Sequence, residues 1–360
     1  MEDRELEIQK LKEELASLRK DPRELLLASR IKEREEEYQH RLLELELASE
    51  GIIPVGIAPE AKAHGGKEFT ALMKEVEVDE ILPIAEQVHK DGYTVVKDFL
   101  TREQLALTRE KMNPFFTQTA SLFKASNSDR HEGKQTIHIQ NILAKSDCAD
   151  PIASLPRLRA IVSSLLGHDF ILNAGAVAMA PDPGCSPQGL HRDDGFYALI
   201  PRPHMPLVIT VAIALDDFTE ENGATGLIPG SCLWGEERKP LEEEIVQTEM
   251  SAGSMLIWDG ATFHRGGANR SNSTRKTLTL NYTRGWLRTQ FNQYLSVPRD
   301  RILGMPPALQ ADLGYHRSAL GLGGCDYQDP LGFIRRLQET GGDYKLVGDL
   351  SSRFFKNKLG

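Results

Sequence analysis

Two histidines and one aspartate are the first residues of this chain whose types and spacing suggest chemistry. His191 and Asp193 lie two positions apart in GLHRDDGFY, and His264 follows 73 positions after the first histidine, in WDGATFHRGGANRS. Residues two apart in a strand point to the same face, so His191 and Asp193 can converge on one ion while Arg192 points elsewhere. Two imidazoles and one carboxylate are the ligand set of a mononuclear non-haem iron(II) site, which keeps positions open for a co-substrate and O2. The spacing therefore indicates an iron site at His191, Asp193 and His264.

An arginine near the second histidine has the chemistry to hold a carboxylate. Arg275 lies 11 residues after His264 and opens the segment RKTLTLNYTRGW. Apolar and polar residues alternate along this segment, with Leu278, Leu280 and Tyr282 against Thr277, Thr279 and Asn281. This alternation predicts a strand with one buried face. A guanidinium is a rigid fork that matches a carboxylate, so Arg275 can hold the far carboxylate of 2-oxoglutarate while its keto-acid end chelates the iron.

Six sequence segments, taken in order, resemble one known enzyme family. The segments are GYTVVKDFLT, HIQNILAKS, QGLHRDDG, ENGATGLIPGS, GSMLIWDGATFHRGGANRS and RKTLTLNYTRGW. Together they are similar to the phytanoyl-CoA dioxygenase family of iron(II)- and 2-oxoglutarate-dependent oxygenases, and more closely to its fungal branch from specialised-metabolite pathways. The resemblance runs from about residue 92 to about residue 321, which is over half of the chain. This combination is far more specific than the ligand motif alone.

The resemblance implies roles for individual residues. It implies iron ligands His191, Asp193 and His264, and it implies 2-oxoglutarate contacts from Arg275, Gln188 and Thr225. Gln188 lies three residues before the first ligand, and Thr225 lies in the segment NGATG. The chain departs from the family's PGSH, which is PGSC here with Cys232. Halogenating relatives replace the carboxylate ligand with a small residue, so the retained acid argues against halogenation.

The function implied by the resemblance is the oxidation of a small metabolite with Fe(II), 2-oxoglutarate and O2. Hydroxylation, desaturation, epoxidation and oxidative cyclisation all remain open, because pocket loops vary freely on a fixed fold. Two alternatives also remain. The chain can be a non-catalytic partner subunit that retains the metal, or a cupin-like metalloenzyme that does not use 2-oxoglutarate. Succinate formation distinguishes these three functions.

Short strands separated by turns occupy the middle of the chain. From Phe170 onward ILNAGAVAMA, LVITVAIALDD, GSMLIWDG and KTLTLNY are divided by PDPG, ENG and NRSNS, a pattern typical of an antiparallel barrel. Helices are expected from Val78 to about His89 and over Pro156–Leu166, a strand over Tyr93–Phe99, and a capping box at Thr101 and Gln104. We predict a mostly β fold with helical additions: a double-stranded β-helix, or jelly-roll and cupin-like barrel, flanked by helices and preceded by N-terminal amphipathic helices.

The N-terminal residues have a different sequence pattern from the rest of the chain. Residues 1–20 and 23–50 predict helices broken at Pro22, with a short coiled-coil-like pattern. This pattern leaves three placements open, namely self-association as a homodimer, packing on the protein's own surface, and a solvent-exposed helix. We expect a helical extension at 1–50, a linker at 51–68 and an oxygenase domain at 69–360. Within that domain the barrel core covers about 168–290, and 291–360 is a covering segment.

Composition excludes several other classes of function. The formal charge is −9 and no Lys/Arg-rich run stands out, which argues against nucleic-acid binding. The sequence contains no run of 18 apolar residues, so we expect no membrane-spanning helix. The charged start MEDRELEIQK does not resemble a secretory signal. The four cysteines are widely spaced, which favours reduced thiols. We therefore expect a cytoplasmic enzyme whose partner is a small-molecule substrate.

Overall fold

Two antiparallel sheets form the centre of the part of the chain that the computed structural model describes, namely residues 22–49, 72, 75–118, 135–318, 321–325 and 329–339. The larger sheet contains β1 (Tyr93–Val96), β2 (Thr136–Ile139), β3 (Phe170–Pro181), β4 (Val208–Ala214), β7 (Met255–Asp259) and β9 (Thr277–Arg284). Its strands lie in the order β1-β7-β4-β9-β3-β2. In the smaller sheet β5 (Gly226–Leu227) lies between β6 (Val246–Gln247) and β8 (His264–Arg265).

The strands at the centre of the larger sheet are buried on both faces. Along β4, Ile209, Val211 and Ile213 join a large apolar cluster with the helices, while Ala212 and Ala214 belong to a second cluster. All seven residues of β4 are buried, which explains why its sequence, VITVAIA, is apolar or small almost throughout. The smaller cluster also includes Leu227 of β5, so it lies between the two sheets.

Helices cover the outer face of the larger sheet. They are α1 (Pro22–Ser49), α2 (Val78–Asp91), α3 (Arg102–Gln118), α4 (Ile142–Lys145), α5 (Asp150–Ala153), α6 (Pro156–Leu166), α7 (Gln293–Ser296), α8 (Arg299–Leu303), α9 (Pro307–Asp312) and α10 (Pro330–Glu339). Arg159 of α6 donates two hydrogen bonds, of 2.8 and 2.9 Å, to the buried carboxylate of Asp312 in α9. This pair fixes the segment after β9 against the helical layer.

Several sequence predictions are confirmed and two need correction. The helix over Pro156–Leu166 and the capping box are as expected, since the backbone N–H of Thr101 donates to Gln104 Oε1 at 2.9 Å and that of Gln104 to Thr101 Oγ1 at 3.2 Å. The first strand is shorter than expected and ends at Val96. The prediction of a mostly β fold overstates the share of β structure. In the described residues more of the chain is helical than extended, and the architecture is mixed α/β with a six-stranded antiparallel sheet.

Helix α1 packs on the protein's own surface. It begins at Pro22, and Tyr38 and Leu42 lie against the main apolar cluster. Arg34 is only 2% exposed and donates to Asp259 Oδ2 at 2.6 Å and to the His204 carbonyl at 2.7 Å. The coiled-coil interpretation is not supported for this helix, and self-association stays a prediction. Residues 1–21 and the expected linker at 51–68 lie outside the described residues.

None of the described helices combines the length and apolarity that crossing a bilayer requires.

Candidate active site

The two histidines of the predicted metal site lie directly opposite each other across a short antiparallel bridge. The backbone N–H of His191 donates to the His264 carbonyl at 3.0 Å, and that of His264 donates back at 2.9 Å. Directly opposed residues in an antiparallel pair project to the same face. The imidazole centroids are accordingly 4.4 Å apart. The pairing brings together two residues that are 73 positions apart in sequence.

Asp193 completes a cluster of three side chains whose ligand atoms all lie within 4.8 Å of one another. Its Oδ1 is 3.7 Å from His191 Nε2 and 3.4 Å from His264 Nε2. The expected strand at this point is only partly present. Arg192 is extended, but Asp193 begins a 3-10 turn that runs to Tyr197. The turn, together with the bridge, brings the carboxylate towards the two rings.

Backbone carbonyls hold both imidazoles with the same nitrogen turned towards the carboxylate. His191 Nδ1 lies 2.8 Å from the Gly189 carbonyl, and His264 Nδ1 lies 3.0 Å from the Thr262 carbonyl. A carbonyl only accepts, so each Nδ1 carries a proton and each Nε2 keeps its lone pair for a metal. Two imidazole nitrogens and one carboxylate oxygen therefore point to a common position, and this donor set fits a divalent transition metal.

The electrostatics of the cluster favour a charged carboxylate. Burial acts to raise the pKa of Asp193, but the attraction of His264, then of His191, and a hydrogen bond from Thr210 bring that pKa well below its ordinary value. Burial acts to lower the pKa of His264, and the neighbouring Asp193 more than offsets it, so the pKa of His264 is raised. At a pH below that pKa a second proton occupies His264 Nε2, and a metal ion would have to displace it.

Arg275 is a buried cation without an acidic partner in hydrogen-bond contact among the described residues. It is 5% exposed, and its Nε and Nη1 have no hydrogen-bond partner there. Its guanidinium carbon lies 3.9 Å from the centroid of the Phe218 ring. Burial lowers the pKa of Arg275 to about 10. A buried guanidinium with unsatisfied donors costs free energy unless an anion binds it.

Gln188 and Thr225 line the same cavity as Arg275 and the three clustered side chains of His191, Asp193 and His264. The Gln188 carboxamide oxygen accepts from the Gly266 N–H at 2.7 Å, which leaves its NH2 group to donate into the cavity. A Cβ at Gly266 would lie 2.9 Å from that oxygen, so a larger residue there would displace the end of the Gln188 side chain. Thr225 directly precedes β5, whose Leu227 pairs with His264. The cavity has a volume of about 220 Å³.

Three further side chains meet at the site, and our sequence assignments missed them. Thr210 Oγ1 donates to Asp193 Oδ2 at 2.5 Å, and Trp258 Nε1 donates to the same oxygen at 3.1 Å. Asn281 Nδ2 donates in turn to Thr210 Oγ1 at 2.6 Å. The sequence offered one signal, because Asn281 belongs to the polar face of the alternating segment and polar residues inside a barrel require partners. Trp258 would pass for an ordinary core residue by burial alone.

Two neighbours of the motif residues are structural. Asp194, next to the carboxylate of the cluster, is fully buried and pairs with Arg202 through both of its oxygens, at 2.6 and 2.5 Å. Cys232, at the family's PGSH position, is buried away from the cavity, and burial raises the pKa of its thiol to about 11. Neither residue belongs to the metal cluster.

The sequence of this chain is similar to those of known proteins. The family model "Phytanoyl-CoA dioxygenase (PhyH)" matches residues 88–277. The dioxygenase olcK of Penicillium canescens is 31% identical over 63% of this chain and 78% of its own length. The dioxygenase swnH2 of Arthroderma benhamiae is 29% identical over 75% of this chain and 91% of its own. Among solved structures, the non-haem α-ketoglutarate-dependent epimerase SnoN from nogalamycin biosynthesis covers 57% of this chain and 83% of its own at 20% identity, with a TM-score of 0.46.

The family match spans more than half of the chain and includes all three residues of the metal cluster together with Gln188, Thr225 and Arg275. This protein belongs to the phytanoyl-CoA dioxygenase family and is an iron(II)- and 2-oxoglutarate-dependent dioxygenase.

Proposed function

We propose that His191, Asp193 and His264 hold the iron(II), that Arg275, Gln188 and Thr225 hold 2-oxoglutarate, and that the enzyme oxidises a small metabolite of a specialised pathway. The observation that carries the proposal is the pair of unsatisfied Arg275 nitrogens in the cavity that the three ligands line. A dicarboxylate fits both ends of this arrangement, because one end can chelate a metal while the other meets a cation. The relatives olcK and swnH2 are fungal dioxygenases, which supports an oxidation reaction for this chain.

Each protein group has a physical task in this reaction. When bound, iron(II) would supply, with 2-oxoglutarate and O2, an oxidant able to remove hydrogen from a C–H bond, and 2-oxoglutarate would be converted to succinate and CO2. Asp193 would bind the metal through Oδ1, because Thr210 and Trp258 already donate hydrogen bonds to Oδ2. The Arg275 guanidinium, stacked on Phe218, binds the far carboxylate in a dry environment where a charged pair is strong. The Gln188 amide group donates to an oxygen of the co-substrate.

The substrate meets the remaining part of the cavity. Along β9 the cavity is lined by Thr277 near the Arg275 end and by Asn281 further along. Gln290 and Phe291, which follow β9, line it as well. Hydroxylation, desaturation, epoxidation and oxidative cyclisation differ in where the substrate carbon lies relative to the iron, and all four are compatible with this cavity.

We also propose a double-stranded β-helix as the finer fold class. The sheet order β1-β7-β4-β9-β3-β2, with the small β6-β5-β8 sheet facing it and the ligands between, supports a double-stranded β-helix. We keep 69–360 as the oxygenase domain, with a core at about 168–290 and a covering segment at 291–360. The contacts of Arg34 add α1 to the folded body around the site.

Succinate formation tests the function. Protein loaded with iron(II) without O2 is mixed with 2-oxoglutarate, exposed to O2 and assayed against a panel of small metabolites. We expect iron-dependent succinate, and product in equal amount when the substrate is present. Metal-dependent product without succinate would instead support a metalloenzyme independent of 2-oxoglutarate. A protein that binds iron but shows neither product nor succinate would support the non-catalytic partner subunit.

A further inference from the structure

A transverse row of side chains on three neighbouring strands surrounds the carboxylate of Asp193. Trp258 of β7 pairs in register with Thr210 of β4, which pairs with Asn281 of β9. Directly paired residues face the same side of a sheet. Trp258 and Thr210 each donate a hydrogen bond to Asp193 Oδ2, and Asn281 donates to Thr210.

The row continues to a buried amide on β3. The register of β3 and β9 shifts between Leu172 and Gly175, and Asn173 lies within this bulge. A bulge redirects side chains relative to a regular strand. The Asn173 amide, 1% exposed, donates through Nδ2 to Asn281 Oδ1 at 2.8 Å.

The far end of this chain of hydrogen bonds is a pocket-lining loop. Asn173 Oδ1 accepts from the backbone N–H of Gln290 at 2.7 Å, and the Asn173 carbonyl accepts from the Phe291 N–H at 3.2 Å. Gln290 and Phe291 both line the cavity. The Tyr197 hydroxyl, on the turn that begins at Asp193, donates to the Arg288 carbonyl at 2.8 Å and ties the same loop to the ligand turn.

The contact between Gln290 and Asn173 sets the direction of each hydrogen bond from Asn173 to Asp193. The Gln290 N–H can only donate, so the Asn173 atom facing it is the oxygen and its NH2 faces Asn281. Asn281 must then present its oxygen to Asn173 and its NH2 to Thr210. Thr210, which accepts from Asn281, directs its hydroxyl proton to Asp193. Donors thus point from the loop to the carboxylate in one sense, and aligned hydrogen bonds of this kind polarise one another.

We propose that Asn173, Asn281 and Thr210 form a positioning relay that couples the pocket-lining loop at 285–292 to the metal-binding oxygen of Asp193. The relay fixes Oδ2, so that Oδ1 alone faces His191 and His264. A substrate that moves Gln290 or Phe291 changes the bond to Asn173 and, through it, the orientation of the carboxylate. The relay rests on the proposed role of Asp193 as a ligand.

Cobalt(II) substitution tests the relay without any substrate, because its visible absorption reports the geometry of the bound metal. Thr210→Val, Asn281→Leu and Asn173→Ala should each change this spectrum and weaken cobalt binding by about 10-fold, the lower end of what lost outer hydrogen bonds cost. The double variant Asn173→Ala/Thr210→Val should bind cobalt no more weakly than Thr210→Val, because residues that act in one path are not additive. Asn269→Ala and Thr108→Val remove buried polar groups that lie off the relay, and they should keep the wild-type spectrum.

Asn173→Asp is the second variant, because it keeps the acceptor for Gln290 but has no NH2 for Asn281. It should give the altered spectrum even if Asn173→Ala does not fold. Metal binding should also slow hydrogen exchange at the Gln290 and Phe291 amides in the wild type, and this slowing should be lost in Asn281→Leu. A wild-type spectrum and affinity in both Asn173 variants, or additive losses in the double variant, would overturn the relay. Unchanged cobalt binding in Asp193→Ala would instead overturn the ligand assignment.

Discussion

The guanidinium of Arg34 lies 2.6 Å from the carboxylate of Asp259, five residues before the proposed ligand His264. Both side chains are fully buried. The other Asp259 oxygen accepts from the Ala261 N–H at 3.0 Å, and the Asp259 carbonyl accepts from the Thr262 N–H at 2.8 Å. The N-terminal helix therefore supports the turn that leads to His264. The sequence alone had placed residues 1–50 in a helical extension separate from the oxygenase domain.

Replacing Arg34 should destabilise the fold and weaken the metal site. Arg34→Met leaves the Asp259 carboxylate buried without its cation, and breaking a buried pair costs about 3–5 kcal/mol. We expect that loss in the free energy of unfolding in urea, together with weaker metal binding. Lys32→Met, on the exposed side of α1, is the control and should change stability by less than about 0.5 kcal/mol.

Deletion of residues 1–50 should have a larger effect than Arg34→Met, since it also removes the contact of Glu37 with Arg284 and the packing of Tyr38. Metal affinity and the unfolding midpoint measure the effect. A truncated protein with wild-type stability and full metal affinity would show that α1 is an independent extension, as the sequence alone suggested.

Each ligand variant should lose metal binding. His191→Ala, Asp193→Ala and His264→Ala should lower iron affinity by more than the roughly 10- to 100-fold that the loss of an outer hydrogen bond costs. His316→Ala, a partly buried histidine outside the cavity, is the control. Iron per chain after anaerobic loading measures the effect. Full iron content in His191→Ala would contradict the ligand set.

Arg275→Lys should separate co-substrate binding from metal binding. Lysine keeps the charge but loses the fork, and a lost charge-assisted hydrogen bond costs about 1.5–3 kcal/mol, or about 10- to 100-fold in Kd. Calorimetry should show this loss for 2-oxoglutarate with iron binding unchanged. Arg270→Lys, an exposed arginine nearby, should leave the affinity at its wild-type value. Arg284 is a poor alternative because it already binds Glu37 and the Pro206 carbonyl.

Metal affinity should fall on acidification. The pKa of His264 is raised by Asp193, so protons compete with the metal at a higher pH than at an ordinary histidine. Affinity should be constant well above that pKa and decline as pH falls through it, starting above the ordinary histidine value of about 6.5. Cobalt titrations between pH 5 and 9 check this. An affinity independent of pH over that interval would contradict it.

The cluster of His191, Asp193 and His264 could be predicted from sequence because the spacing and residue types are local signals. His191 and Asp193 share one short motif, and Arg275 opens a strand with clear alternation. The strand geometry assumed for the motif was only half right, since Asp193 begins a turn. The turn is set by tertiary contacts, among them the buried ion pair of Asp194 with Arg202.

The supporting residues could not be predicted, because their partners are distant in sequence. Asn173 meets Asn281 only through a bulge, and Thr210 of β4 meets Asp193 only because the turn that begins at Asp193 lies against that strand. Arg34 contacts a residue 225 positions away. A charged helix with a short heptad pattern gives no sign that one of its arginines is buried.

The most direct test of the proposed site is an anaerobic titration of 2-oxoglutarate into iron(II)-loaded protein. Calorimetry measures the binding, and visible absorption detects the iron chelate. We predict one saturable site per chain that gives the chelate absorption. Binding should be much weaker without metal and in Arg275→Ala, and the absorption should be absent in Asp193→Ala. If 2-oxoglutarate bound equally well to the metal-free protein and to Arg275→Ala, or gave no chelate absorption with the iron-loaded wild type, the proposed site would be wrong.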